Sequence, residues 1–259
     1  MTVRLLSSDL DGTLLGDHRA TQRFRSFWES LNPANRPVLV YNSGRLIDDI
    51  EALLAVSDLP QPDYLIGGVG TMVGGELNET RRRQFGEMLG APFDRDALLR
   101  VMRHVDGIAL QDAVYQHDHK SSWHLHDASE EVIAELEQAL ADAGVEARLV
   151  YSSKRDLDVL PRQASKGAAL AWLCRELGID LDEVVVAGDT GNDADMFLLP
   201  AVNGIVVGNA LDELRQLAST TGRHYQARRA NADGVVEGLQ HWMDAASSRQ
   251  RPRSADARG

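Results

Sequence analysis

Four aspartates of this 259-residue chain lie in two short segments that each follow an apolar run. Asp9 and Asp11 follow the first run, and Asp189 and Asp193 follow the second. In a parallel sheet the carboxyl ends of the strands share one edge, so we expect these side chains to converge. Converging carboxylates repel one another unless a cation lies between them, and an all-oxygen ligand set suits Mg²⁺. The sequence therefore predicts a magnesium site built from the four aspartates.

Asp9 has the chemistry of a nucleophile toward phosphorus. A carboxylate can accept a phosphoryl group, which divides one difficult displacement into two easier ones. Asp11 lies two residues further on and can protonate the leaving oxygen, then take a proton from water. The Ser43 hydroxyl and the Lys166 ammonium are suited to hold phosphate oxygens in the transition state. We therefore expect Asp9, Asp11, Ser43 and Lys166 to be the catalytic residues.

Strands that alternate with helices would position these residues. Such alternation is typical of an α/β fold with a Rossmann-like parallel sheet and right-handed crossovers. The predicted core strands cover residues 3–8, 37–42, 63–66, 183–187 and 204–207. The predicted core helices cover residues 18–31, 45–56, 165–177, 193–199, 210–218 and 233–243.

The alternation is interrupted in the middle of the chain. Weak strand patterns occur at 71–73 and 80–85, and clearer strands and helices without strict alternation follow. These elements cover residues 93–104, 107–111, 120–126, 129–143, 147–152 and 157–160. The pattern predicts an inserted α+β cap domain over 80–161, with residues 1–79 and 162–243 as the core. Residues 244–259 show no apolar pattern and predict a disordered tail.

Composition and charge exclude several classes of protein. Hydrophobic residues make up 43% and charged residues 25%, which is globular rather than disordered composition. With 27 basic and 39 acidic residues the net charge is −12, which disfavours binding to nucleic acid or anionic membranes. The single cysteine, Cys174, lies in a helical run and is expected to be a buried thiol in a reducing compartment. No apolar run suits a signal peptide or a membrane span, so we expect a cytoplasmic protein.

Four short motifs occur in the order of a known enzyme superfamily: residues 9–13, 43–45, 166–167 and 188–193. In these motifs the chain resembles the phosphatases of the haloacid dehalogenase superfamily. The resemblance implies the core fold of that superfamily with a cap of the C2B type between the second and third motifs. Within the superfamily the chain resembles the sucrose-phosphatase family over nearly its whole length. The segments that carry this likeness are 16–17, 62–64, 68–70, 120–125, 151–153, 156–161 and 223–225.

The resemblance implies an Mg²⁺-dependent phosphatase that hydrolyses a disaccharide phosphate through an aspartyl-phosphate. Segments 37–49, 66–72 and 168–174 favour mannosylfructose phosphate as the substrate, with sucrose 6-phosphate next. The glycosyltransferase that makes the substrate is an expected partner. The resemblance also implies further substrate contacts, in the core and in the cap: Gly44, Arg45, Asn192, Gln116 and Lys120.

Two other functions fit the same residues. A phosphotransferase or mutase would return the phosphoryl group to a sugar instead of water, and it also needs an acid and base at Asp11. Release of free phosphate separates the phosphatase from the phosphotransferase. A non-catalytic subunit that binds a sugar phosphate for a glycosyltransferase is disfavoured by the intact Asp9, Asp11, Lys166 and Asp189, and a single-turnover assay tests it.

Overall fold

The computed structural model describes residues 2–250, whose strands form two sheets. In chain order the strands are β1 (Leu5–Ser8), β2 (Val38–Asn42), β3 (Tyr64–Gly67), β4 (Met72–Gly75), β5 (Ala109–Leu110), β6 (Ser121–His124), β7 (Ala147–Ser152), β8 (Asp156–Pro161), β9 (Val184–Gly188), β10 (Asn203–Val206) and β11 (His224–Gln226). The larger sheet has the order β11-β10-β9-β1-β2-β3-β4 and is parallel except for the pairing of β3 with β4. The smaller sheet, β5-β6-β8-β7, is antiparallel. The predicted α/β fold with a parallel core sheet is confirmed.

The described helices connect these strands. They are α1 (His18–Ser30), α2 (Ile47–Val56), α3 (Glu79–Leu89), α4 (Arg95–Met102), α5 (Glu130–Asp142), α6 (Lys166–Leu177), α7 (Ala194–Phe197), α8 (Asp212–Ser219) and α9 (Asn231–Gln250). Ser165 caps α6 by accepting a hydrogen bond from the backbone N–H of Ala168, which makes Lys166 the first residue of that helix. Across residues 2–250, every helix is too short or too polar to cross a membrane.

The centre of the larger sheet is formed by β1 and β9, in which every residue is buried. A strand that is buried on both faces needs a continuous apolar run, and the valines of β9 meet that need. The parallel register pairs Leu5 with Val184 and Ser8 with Ala187. Asp9 continues this register by donating its backbone N–H to the Ala187 carbonyl oxygen at 3.0 Å. The two acidic segments of the sequence therefore begin side by side.

The weak strand predicted at 80–85 is wrong, because these residues belong to helix α3. Asn78 begins the helix by accepting a hydrogen bond from the backbone N–H of Arg81 at 2.9 Å. Phe85 and Leu89 lie four residues apart, so both project from one face and are buried in the core of the larger sheet. The Phe85 ring meets Trp172 of α6 edge to face at 5.0 Å.

This packing bears on where the cap begins. A second buried apolar cluster, separate from that of the larger sheet, starts at Ala97 and includes Trp123, Leu136 and Leu157. Helix α3 contributes to the first cluster and not to the second. The division at residues 80–161 remains a prediction, and the packing favours a cap that starts near residue 90.

The predicted disorder over 244–259 is wrong for its first part, because α9 continues to Gln250. Residues 251–259 lie outside the described part of the chain. Ala246 is buried, and alanine has the highest intrinsic helix propensity. A short run of small residues therefore extends the helix without an apolar stripe that the sequence pattern could reveal.

Candidate active site

The loop after β1 lies directly against the loop after β9. Gly12 has a φ of +82°, and a Cβ at this position would lie 2.1 Å from Oδ2 of Asp189. Thr13 donates its hydroxyl to Oδ1 of Asp189 at 3.1 Å. Only glycine combines this backbone conformation with so close an approach. The glycine in the first motif thus lets the two acidic segments meet.

Lys166 is fully buried and joins two of the aspartates. Its Nζ donates to Oδ1 of Asp9 at 2.6 Å and to Oδ1 of Asp193 at 2.7 Å. Oδ2 of Asp193 accepts hydrogen bonds from the backbone N–H groups of Asp189, at 2.9 Å, and Thr190, at 3.2 Å. Asp193 therefore fixes both the lysine and the loop that carries Asp189.

Carboxylate oxygens of Asp9, Asp189 and Asp193 lie within 4.8 Å of one another, and we call these three residues the acid triad. Burial raises the pKa of Asp9 to about 7; Lys166 opposes the rise and Asp193 adds to it. Burial also raises the pKa of Asp189 to about 8, with further repulsion from the other two acids. For Lys166, burial alone would lower the pKa, but Asp193 and Asp9 outweigh it and the pKa is raised.

The acid triad has the chemistry to hold a divalent cation. When all three carboxylates are ionised, they carry three negative charges against the single positive charge of Lys166. The two charges left over match one Mg²⁺, and carboxylate oxygens are the ligands that this ion prefers. Asp11 was also predicted as a ligand, but its side chain is not part of this group.

The carboxylate of Asp11 is instead paired with Arg45. Nε and Nη2 of Arg45 donate to the two oxygens of Asp11 at 2.7 and 2.8 Å, and Nη1 donates to Oδ2 of Asp49 at 2.7 Å. The hydrogen bond to Asp11 is the main cause that raises the pKa of Arg45. Asp11 lines the cavity described below, so it lies where an acid and base would act.

Ser43, Gly44 and Asn192 also line this cavity. Ser43 is buried, and its hydroxyl accepts a hydrogen bond from the backbone N–H of Arg45 at 3.2 Å. A Cβ at Gly44 would meet only Val69, at 3.8 Å, so a ligand can approach the backbone there. Oδ1 of Asn192 is buried without a hydrogen-bond partner in the protein. The predicted core residues are thus brought together, with Lys166 directly beneath them.

The cavity has a volume of about 660 Å³ and lies between the core and the smaller sheet. This size is in the range of pockets that enclose small-molecule ligands. The cap side of the cavity is lined mainly by side chains outside the predicted set of substrate contacts: Gln111, Asp112, Tyr115, His124, Ser152, Ser153, Arg155, Asp156 and Asp158.

The two cap residues predicted to contact the sugar are engaged within the cap. Gln116 donates Nε2 to the carbonyl oxygens of Gln111 and Ser122 and accepts from the backbone N–H of Ser122, so it orders a loop rather than lining the cavity. Lys120 does line the cavity, although only 3% of it is exposed. Its Nζ donates to Asp158 at 2.7 Å and to the hydroxyl of Ser122. Lys120 therefore reaches the cavity as an ion pair with Asp158.

Asp156 and Asp158 belong to a segment that carried the family likeness, but no role at the site was predicted for them. They lie two apart on β8, so they share one face of the sheet, opposite His124 and Ser122 of β6. Leu157 between them is fully buried. Acidic and apolar residues alternate in this strand. Because successive side chains of a strand point to opposite faces, this alternation could have indicated that the acids face the cavity and Leu157 faces the cap core.

Comparison with known proteins identifies the family. A model of the sucrose-6F-phosphate phosphohydrolases matches residues 2–243. The chain belongs to this family. It is 54% identical over 240 residues to the mannosylfructose-phosphate phosphatase of Agrobacterium fabrum, covering 93% of this chain and 97% of that protein.

Solved structures agree with this family and with the fold. The sucrose-phosphatase of Synechocystis, in complex with sucrose and phosphate, has a TM-score of 0.83 and 28% identity, over 93% of this chain and 98% of that chain. A sugar phosphatase of haloacid dehalogenase subclass IIB has a TM-score of 0.63 at 14% identity, over 94% of this chain and 99% of that chain, and shares the fold. The likeness of the sequence to the sucrose-phosphatase family is therefore confirmed.

Proposed function

We propose that this protein hydrolyses a disaccharide phosphate, with mannosylfructose phosphate preferred and sucrose 6-phosphate second. The observation that carries the proposal is Asp9, held at 2.6 Å by the buried Lys166 at the floor of a cavity whose opposite wall is the cap. Membership of the sucrose-6F-phosphate phosphohydrolase family makes the protein a phosphoric monoester hydrolase. The 54% identity to a mannosylfructose-phosphate phosphatase supports the choice of sugar.

In the first step a carboxylate oxygen of Asp9 attacks phosphorus. Because Lys166 holds Oδ1, the nucleophile has a fixed orientation before substrate binds. The bond between phosphorus and the sugar oxygen breaks, and Asp11 gives the leaving oxygen its proton. Asp9 is then an aspartyl-phosphate and the disaccharide is a free alcohol.

In the second step water attacks the phosphorus of the aspartyl-phosphate. Asp11, now a carboxylate, takes a proton from that water, and the bond between phosphorus and Asp9 breaks. Inorganic phosphate leaves and Asp9 is restored. The Ser43 hydroxyl, the backbone at Gly44 and the Asn192 side chain lie around the cavity where they can hold phosphate oxygens in both steps.

The acid triad would hold Mg²⁺. When bound, the ion neutralises the charge of these carboxylates and of the phosphate oxygens that approach them. Holding the lysine and the Asp189 loop at once, Asp193 keeps the triad in place before the ion binds.

The proposal assigns the choice of sugar to the cap wall of the cavity. The core residues contact the reacting end of the substrate, and the cap wall offers carboxylates, amides and hydroxyls that suit a sugar.

A cytoplasmic location is part of the proposal and is supported by the single, buried Cys174, whose pKa burial raises to about 12. A functional partnership with the glycosyltransferase that makes the substrate is also proposed. It is supported by a 30% identical match between this chain and 30% of the length of a glucosylglycerol-phosphate synthase of Pseudomonas anguilliseptica.

A phosphate-release screen tests the proposal. Mannosylfructose phosphate, sucrose 6-phosphate and the 6-phosphates of mannose, fructose and glucose would be compared in Mg²⁺, with Asp9→Asn as the control for contaminating phosphatases. We expect free phosphate fastest from mannosylfructose phosphate. Phosphate that appears on an added sugar instead of in solution would favour a phosphotransferase, and binding without turnover would favour a non-catalytic subunit.

A further inference from the structure

One guanidinium connects Asp49, which lies outside the cavity, to Asp11 inside it. Two nitrogens of Arg45 bind the two oxygens of Asp11, and the third binds Asp49. All three nitrogens of the group are therefore engaged. A guanidinium is planar and its donors are fixed in that plane. The hydrogen bond to Asp49 therefore helps to orient the Arg45 guanidinium, and that orientation determines where the Asp11 carboxylate is held.

We propose that Asp49 is a positioning residue for the proton transfers of Asp11, and that it acts through Arg45. The inference rests on the proposed phosphatase function, in which Asp11 protonates the leaving sugar oxygen. It also changes the role expected of Arg45, which was predicted as a substrate contact. The guanidinium that would face the substrate is committed to two carboxylates.

Backbone hydrogen bonds hold the Asp49–Arg45–Asp11 contacts in place. Arg45 is fixed on both sides, because its N–H donates to Ser43 Oγ and its carbonyl accepts from the N–H of Gly68 at 2.7 Å. Asp49 lies in the first turn of α2, four residues after Arg45. The next residue, Ile50, is fully buried and anchors the helix. Because helix α2 is packed in place, Asp49 is held in a fixed position, which a positioning residue requires.

Two simpler roles make different predictions. An acid in the first turn of a helix stabilises the helix through its dipole, and Asp48, the exposed neighbour of Asp49, would serve equally. If instead Arg45 binds the sugar directly, loss of Asp49 would weaken substrate binding whether or not Asp11 can act. The positioning role confines the loss to the steps in which Asp11 transfers a proton, and in kcat/KM to protonation of the leaving oxygen.

The test is the value of kcat/KM for mannosylfructose phosphate and for 4-nitrophenyl phosphate, in Mg²⁺. This ratio reports the steps up to cleavage of the ester bond, and 4-nitrophenolate leaves without needing a proton. Asp49→Asn should lower kcat/KM for the disaccharide phosphate by about threefold to tenfold, mainly through kcat, and leave the aryl phosphate within about twofold. Asp49→Glu, which can keep the ion pair, should restore most of the activity. Asp48→Asn is the matched control and should change neither value.

The same substitution in an Asp11→Asn background completes the test. There Asp49→Asn should cause no further loss, because the group that it positions has gone. Equal losses on both substrates, an equal effect of Asp48→Asn, or a loss that persists beside Asp11→Asn would overturn the proposal.

Failure of the proposed function would be distinguishable from failure of this inference. If the wild-type protein released phosphate from no sugar phosphate, the proposed function would be wrong, and the coupling between Asp49 and Asp11 would be measured without substrate. In that case thermal unfolding of Asp49→Asn, Asp11→Asn and the double variant is compared. Shifts in Tm that do not add support a connection through Arg45, and additive shifts contradict it.

Discussion

The two walls of the cavity use acidic residues in opposite ways. In the core wall the three carboxyl groups of the acid triad share one lysine, so carboxyl groups outnumber cations. In the cap wall the two acids of β8 each have their own cation: Asp158 lies 2.7 Å from Lys120, and Asp156 lies 3.0 Å from Arg155. Under the proposed function the core wall would hold a cation and a phosphate, whereas the acids of β8 in the cap wall are neutralised and present hydrogen-bonding groups to hydroxyls. This contrast agrees with the proposal that the core residues hydrolyse the phosphate ester and that the cap wall selects the sugar.

The largest expected effect is at Asp9, because it would break the chemistry of the core wall. Asp9→Asn keeps the shape of the side chain and removes the attacking charge, so phosphate release should fall by several orders of magnitude. The free energy of unfolding should be unchanged or higher, because one of three crowded negative charges is gone. Phosphate-release kinetics and thermal unfolding check both statements. A variant that kept about a tenth of wild-type turnover would exclude Asp9 as the nucleophile.

Removing the charge of Asp189 should be the next largest effect. Asp189→Ala should weaken Mg²⁺ binding, so that activity returns only at high Mg²⁺ concentration, if at all. Ca²⁺ should inhibit the wild-type protein, because its larger and more variable coordination shell misplaces the carboxylates. Titration of activity with each ion is the measurement. Full activity of the wild-type protein in excess chelator would contradict the metal site.

A change in the cap wall should affect the sugar and spare the chemistry. Lys120→Ala should lower kcat/KM for mannosylfructose phosphate by about tenfold or more, since it removes a buried donor and leaves Asp158 without its partner. For 4-nitrophenyl phosphate, which has no sugar to reach the cap, the change should be within about twofold. Lys154→Ala, an exposed lysine of the β7–β8 hairpin, is the control. Equal losses on both substrates would show that Lys120 supports the fold or the core instead of selection.

The smallest expected effect is on stability, and it follows from the raised pKa values of Asp9 and Asp189. The folded protein holds protons on these acids up to about pH 7 and about pH 8, and the unfolded chain releases them near the ordinary value of 3.8. The folded state therefore binds more protons, and stability falls as pH rises. Burial lowers the pKa of His117 and of His224, so their opposite trend ends below about pH 7.

In chelator, the Tm should therefore fall between about pH 7 and about pH 8.5, and added Mg²⁺ should raise it more at the higher pH. Asp189→Asn should flatten the dependence. A Tm in chelator that rose over this interval would show that the acid triad is not crowded in the way described.

The acids of the core wall could be predicted from sequence because each of them follows a strand of one parallel sheet. Asp9 and Asp189 were placed together from two apolar runs and the rule that strand ends share an edge. The pairing of Asp11 with Arg45 could not be predicted, because it depends on side-chain geometry at the surface. The short strand β11 (His224–Gln226) was also missed, since three partly exposed residues give too little pattern.

The cap wall was harder to predict, because its residues come from antiparallel strands and from the loops between them. In such a sheet a side chain reaches the cavity or the cap core according to its register, and a loop residue can turn either way. Lys120 lines the cavity, and its contact with the sugar stays a prediction, whereas Gln116 turns inward to bind backbone groups. For Asp156 and Asp158 the only signal was the alternation of acidic and apolar residues along the strand, and a loop residue would interrupt such an alternation. The helix α3 was missed for a related reason, because its apolar face is only two residues wide.

The central claim, that Asp9 of the core wall attacks phosphorus while Asp11 transfers protons, is tested most directly by pre-steady-state hydrolysis of 4-nitrophenyl phosphate by Asp11→Asn in Mg²⁺. The first step needs no proton from residue 11, whereas the second step needs a base there. We expect a rapid burst of one 4-nitrophenolate per active site, followed by slow turnover. We also expect a phosphoryl group on Asp9, located by borohydride reduction and peptide mass spectrometry. A reaction without a burst and without phosphoenzyme, or a phosphoryl group on another residue, would contradict the account.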